Sequence, residues 1–195
     1  MYLSRRKTRP KRKRSSLEIV GFLVLAVIVV AIVWLVFTSP QNPTQPTQTT
    51  TNAQTTTNAL APDFTLTDVN GTPIRLSDQR GKVVVLEFMR TTCPHCANEM
   101  SQLASVHDRF GPDVTMISVS VDPQGDTNEV LKAYAAEHNA TWVWARDTSN
   151  NSVTSLYGIS GVPTIIIIDS NGRIVQVNTG ETSSSILIQQ IQSAH

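Results

Sequence analysis

Cysteine is scarce in this chain: its 195 residues hold two, too few for a disulfide-stapled scaffold or a four-thiolate zinc site. Charge is also thin, at 16% of residues, and unevenly spread. Eight of the 16 Lys and Arg residues (Arg5, Arg6, Lys7, Arg9, Lys11, Arg12, Lys13, Arg14) lie in the first 14 positions, and the next is Arg75. Residues 62–195 carry the other 8 basic residues against 14 acidic ones, a net of −6. A domain without a basic footprint has little means of neutralising a phosphate backbone, which argues against nucleic acid as a partner.

An adjoining apolar segment gives the basic cluster a different meaning. Ile19 to Phe37 is an apolar run of 19 residues without a charge. As a helix it spans roughly 28 Å, close to the ~30 Å hydrocarbon core of a bilayer. A cleaved signal peptide normally has an apolar region of only about 7–15 residues and a small-x-small cleavage site. Thr38-Ser39-Pro40-Gln41 offers no such site. Residues 17–37 are therefore expected to anchor the chain in the lipid bilayer as a transmembrane helix. With all nearby cations on its N-terminal side, residues 1–16 belong in the cytoplasm and everything after Thr38 outside it. Residues 38–60 are nearly all Thr, Gln, Asn, Pro, Ser and Ala. That composition cannot bury enough surface to offset its ordering entropy and reads as a disordered tether. Asn70-Gly71-Thr72, Asn139-Ala140-Thr141 and Asn150-Asn151-Ser152 match the N-glycan acceptor pattern, which short sequences also meet by chance.

From Ala61 the pattern becomes that of a folded α/β domain, residues 61–195. Phe64-Thr65-Leu66-Thr67 and Ile74-Arg75-Leu76 flank Asn70-Gly71, a hairpin signal. Val83 to Met89 is a near-continuous apolar run, as in a strand buried on both faces. Cys96, Met100, Leu103, Val106 or His107, and Phe110 recur at helical spacing and stop at Gly111-Pro112. Next come a strand at 114–121, a helix at 127–138, a strand at 142–145 and a short helix near 152–157. Strands at 164–168 and 174–177 flank Asn171-Gly172, and a last amphipathic helix covers 186–191. That succession of strands and helices calls for a central mixed sheet covered by helices.

The two cysteines, Cys93 and Cys96, are spaced C-x-x-C where the buried strand meets the helix. A structural zinc site would need two further ligands, and the histidines are scattered. A c-type haem needs His directly after the second Cys, where Ala97 stands. A redox dithiol remains, with no metal and no cofactor required. At the first helical turn Cys93 meets unsatisfied N–H groups and the positive end of the macrodipole, which favour its thiolate. Cys96, one turn on, is suited to resolving a mixed disulfide. His107, His138 and His195 read as packing, helix-end and terminal residues, and Trp142 and Trp144 as core or rim.

The segment Glu87-Phe88-Met89-Arg90-Thr91-Thr92-Cys93-Pro94-His95-Cys96 resembles the active-site segment of thioredoxins, and Gly161-Val162-Pro163-Thr164 resembles their cis-proline loop. Ala61-Pro62-Asp63-Phe64 and its hairpin are similar to the redoxin branch, particularly membrane-tethered TlpA/ResA-like thiol–disulfide oxidoreductases. The resemblance spans residues 61–195. It implies a thioredoxin-like fold with an N-terminal hairpin and an inserted βα unit, behind one transmembrane helix. It implies partners that are protein thiols and disulfides outside the cytoplasm, apocytochromes among them, and a membrane or extracytoplasmic redox partner. It further implies that Cys93 and Cys96 form the redox-active disulfide and that Val162 and a cis Pro163 bind substrate. Glu87 matches the buried acid of thioredoxins, placed to relay a proton to Cys96. Glu99 matches the glutamate common three residues after the second cysteine in the ResA-like group. Pro94 and His95 are the pair of DsbA-like oxidants, with His95 expected to stabilise the Cys93 thiolate. Met89 and Thr92 stand where these families usually carry tryptophans. Direction of electron flow stays open at this point, because Glu99 and the redoxin frame suggest a reductant and Pro94-His95 an oxidant.

Two rivals share the frame. A peroxiredoxin-type peroxidase surrounds its cysteine with Pro-x-x-x-Thr-x-x-Cys, but Arg90 stands three residues before Cys93, and Cys93 three before Cys96. An SCO-type copper chaperone uses C-x-x-x-C and a distal His, and the spacing here is one residue short.

Overall fold

A computed structural model describes residues 57–148 and 152–195. The expected cytoplasmic tail, transmembrane helix and all but the end of the tether lie outside the described residues, as does most of the third sequon. Among the described residues no helix is long and apolar enough to cross a membrane.

The fold keeps closely to the expected order. A two-stranded antiparallel sheet joins β1 (Thr65–Thr67) to β2 (Pro73–Arg75). Gly71, with φ of 89°, takes the left-handed turn position that the Asn-Gly pair announced. The main sheet contains β3 (Val83–Met89), β4 (Val114–Ser120), β5 (Val143–Arg146), β6 (Thr164–Ile168) and β7 (Ile174–Thr179). Their spatial order is β5-β4-β3-β6-β7. β3, β4 and β5 run parallel, whereas β6 and β7 are antiparallel to their neighbours. The helices are α1 (Pro94–Phe110), α2 (Asn128–Glu137), the single turn α3 (Val153–Leu156) and α4 (Ser184–Ser193).

Because β3 is central, all seven of its residues are buried, which explains its unbroken apolar run. Val83, Val85 and Met89 pack with Leu103 of α1, Leu131 of α2 and Leu187 of α4. Val84, Leu86 and Phe88 face the opposite way, onto Leu66, Val153 and Tyr157. Glu87 belongs by strand parity to the first of these faces, the one under α1.

The tether boundary shifts from the expected one. Residues 57–60 already belong to the domain: Asn58 N donates to Ile174 O at 2.5 Å, and Leu60 bridges Arg173. Composition missed this because the segment is held by backbone bonds, which do not depend on apolar side chains.

Candidate active site

The strand-to-helix junction places the two sulfurs differently. Cys93 is the N-cap of α1, with extended backbone, and Pro94 comes next at the first helical position, where its missing N–H costs nothing. Cys96 N donates to Cys93 Sγ at 3.3 Å, so an otherwise unsatisfied helix N–H faces the outer sulfur. Both cysteines are free thiols; Cys93 exposes 6% of its surface and Cys96 none. Across from them the Val162–Pro163 peptide is cis. The Cys93 thiol points at Val162 O, 3.8 Å away. Gly180 N donates to Pro163 O and Thr164 Oγ1 to Gly161 O, each at 2.8 Å, fixing this loop against the sheet.

Beneath the dithiol lies Glu87, 1% exposed. Burial pushes its carboxyl from 4.5 up to about 8; Ser118 pulls it down in part, and the charge of Glu99 pushes it further up. Ser118, directly opposite on β4, donates to Glu87 Oε2 at 2.5 Å. Burial also pushes the Cys96 thiol well above the usual thiol range, and Cys93 and the charge of Glu87 push in the same direction. That direction holds Cys96 in its neutral thiol form at neutral pH.

Glu99 is also fully buried, and its Oε2 accepts from Thr182 N at 2.7 Å, just before α4. Burial raises it to about 7, against the lowering effect of that N–H. The charge of Glu87 reaches the Cys96 thiol, and Glu99 ties α1 to the start of α4. His95 too has a partner other than the expected one. Its Nδ1 lies 2.5 Å from Glu181 Oε1, and Asn98 Nδ2 donates to the same oxygen at 3.0 Å. Those hydrogen bonds hold the Glu181 carboxyl below its usual range.

Several residues at the site were not singled out from sequence. Asp126, 1% exposed, accepts from Thr91 N at 3.1 Å, from Thr91 Oγ1, and from Ser120 Oγ at 2.5 Å. It pins the loop two residues before Cys93 to the end of β4. In sequence it sits in Asp122-Pro123-Gln124-Gly125-Asp126, indistinguishable from a solvated loop. Glu181 and Ser118 are likewise distant in sequence from what they touch. Trp142 is more than rim: its indole Nε1 donates to Ser118 Oγ at 2.8 Å while its ring lies 5.5 Å from that of His107. Among the described residues no group of three or more His, Cys, Asp or Glu is gathered to hold a metal ion.

A strand-to-helix dithiol opposed by a cis-proline loop sets the frame for comparison with known proteins. The AhpC/TSA family model matches residues 57–177. The chain belongs to the AhpC/TSA family. Within it the chain is a ResA-like redoxin of the thiol–disulfide oxidoreductase class. It is 31% identical over 136 residues to the thiol-disulfide oxidoreductase ResA of Geobacillus kaustophilus, covering 68% of this chain and 75% of that protein. Against ResA of Bacillus subtilis it is 31% identical over 128 residues, covering 65% and 69%. Among solved structures, the thioredoxin domain of a thiol-disulfide oxidoreductase from Bacteroides vulgatus superposes with a TM-score of 0.60 at 27% identity. That match covers 71% of this chain and 96% of the other.

Proposed function

We propose that this family member is a membrane-tethered reductant of protein disulfides outside the cytoplasm, exchanging its Cys93–Cys96 dithiol with exported substrates. Apocytochromes fit that substrate class, and a second extracytoplasmic or membrane redox partner returns the electrons. One observation carries the chemistry: Cys93 Sγ caps α1 beside the Val162 carbonyl, with Cys96 wholly buried behind it. An extended substrate segment reaching Cys93 passes along Val162 and Pro163. The thiolate of Cys93 attacks the substrate disulfide, forming a Cys93–substrate bond and expelling one substrate thiolate, which takes up a proton. Cys96 then gives its proton to the Glu87 carboxylate, and its sulfur attacks Cys93. The Cys93–Cys96 bond forms, the mixed disulfide breaks, and the second substrate thiolate leaves.

The reducing direction is favoured by the His95–Glu181 contact at 2.5 Å. An imidazole that faces a carboxylate has its positive charge offset, and that charge is what would favour the reduced form and make the pair oxidising. Residues 17–37 supply the anchor and the cations of residues 1–16 its orientation, which rest on apolar length and charge asymmetry.

Equilibration of the full chain with glutathione tests the direction. A reduction potential near −270 mV, about that of thioredoxin, fits a reductant, and one near −120 mV, about that of a DsbA-like oxidant, contradicts it. Protease added outside intact cells should remove residues 61–195 and spare the basic tail; protection of the domain would contradict the orientation. Peroxide consumption without disulfide exchange would replace this reading with the peroxidase one. Copper retained after purification, and lost in Cys93→Ser, would replace it with the chaperone one.

A further inference from the structure

Glu87 does not stand alone on its sheet. Its row runs across β3, β4 and β5 through Ser118 and Trp144, and the Trp142 indole reaches back into it. Three polar groups form a directed chain: Trp142 Nε1–H to Ser118 Oγ at 2.8 Å, then Ser118 Oγ–H to Glu87 Oε2 at 2.5 Å. The direction is dictated by chemistry. An indole nitrogen can only donate, and a hydroxyl has one hydrogen. With Trp142 as its donor, Ser118 gives that hydrogen to Oε2. Among the described residues Ser118 Oγ has no second acceptor, and Glu87 Oε1 is buried without a partner.

We propose that Trp142 and Ser118 are positioning residues for the Glu87 proton, fixing Oε2 as an acceptor and confining the titrating proton to Oε1. A proton on Oε2 would force the Ser118 hydrogen to turn away into a buried site with no acceptor. A proton on Oε1 leaves the chain in place whether Glu87 is neutral or charged, so transfer from Cys96 requires no hydroxyl rotation. The other titratable groups whose charge couples to Glu87 are Glu99 and Cys96 on α1 and Tyr134 on α2. None of them bonds Oε2, so they bear on Glu87 through their charge while Ser118 bears on it by contact. The inference deepens the exchange reading and rests on it for its kinetic consequence.

The test uses the full chain in detergent and two measurements. One is the infrared carboxyl band of Glu87, identified by its loss in Glu87→Gln and followed against pH. The other is the pH midpoint for release of a small aromatic thiol from its mixed disulfide with Cys93. Removing a hydrogen bond to a buried carboxylate in Ser118→Ala should raise both midpoints by about one pH unit. It should also move the protonated carboxyl band to higher frequency. Trp142→Phe should act in the same direction with smaller size, and Ser118→Thr should restore the parent values. Unmoved midpoints in both Ser118→Ala and Trp142→Phe would overturn the proposal, as would a downward shift. If Ser118→Ala does not fold, Trp142→Phe decides alone by the same criterion. A parent protein that exchanges no disulfide, with the band shifts still present, would refute the exchange reading and leave the chain standing.

Discussion

Replacing Glu87 with glutamine should change how stability depends on pH more than it changes stability itself. The side chain is 1% exposed, and burial lifts its carboxyl from 4.5 to about 8. An acid held above its unfolded value contributes stability that is complete below pH 4.5 and lost as pH rises through 8. Each pH unit in that window costs about 1.4 kcal/mol, so Glu87 alone removes about 5 kcal/mol across it. Domains of this size are stable by only about 5–15 kcal/mol, so the loss should be plain in a urea titration. Glutamine keeps an acceptor for Ser118 but adds amide hydrogens without partners, a cost of about 1–3 kcal/mol at every pH. The reduced Glu87→Gln protein should therefore be the weaker of the two at pH 5 and the stronger by about 2–4 kcal/mol at pH 9. Glu99, raised to about 7, leaves both proteins a shallower common decline up to that pH. Urea midpoints at constant slope from pH 5 to 9 give the comparison. Parallel curves would refute the reasoning, because they would mean that Glu87 titrates as an ordinary carboxyl.

Release of the mixed disulfide should accelerate with pH to a midpoint near 8, tracking Glu87, and Glu87→Gln should lose that limb; stopped-flow single turnovers report both. Asp126→Ala leaves Thr91 N, Thr91 Oγ1 and Ser120 Oγ without their acceptor. It should cost about 3–5 kcal/mol by urea denaturation, and amide exchange around Thr91–Cys93 should speed up. Glu181→Gln removes the carboxylate facing His95. The potential against glutathione, measured at about pH 5.5 where an ordinary histidine is charged, should rise; an unchanged value would mean that His95 does not act on Cys93.

Much of the fold was legible because its signals are local. The seven-residue run of β3, the Asn-Gly turn and the Cys93-Pro94 helix start each carry their meaning within a few positions. So does the dithiol, since strand-to-helix placement comes from adjacent elements. Val162 and Pro163 came only through resemblance, because nothing local says that a loop 69 residues on will face Cys93. The polar supports were not legible at all. Asp126 and Ser118 owe their roles to burial and the exposed Glu181 to its approach to His95, and each arises only after β3, β4 and α1 have packed. Glu99 shows the converse: helical spacing placed it near Cys96, while the backbone N–H of Thr182, 83 residues on, took its carboxylate.

A trapping experiment tests a Cys93-led exchange most directly. Single serine variants at each cysteine are mixed with an oxidised protein substrate and examined for a covalent adduct by non-reducing electrophoresis and mass spectrometry. Cys96→Ser should accumulate a mixed disulfide through Cys93, and Cys93→Ser should trap nothing, because Cys96 is buried and its thiol is raised. An adduct through Cys96 in the Cys93→Ser protein, with none in Cys96→Ser, would contradict it.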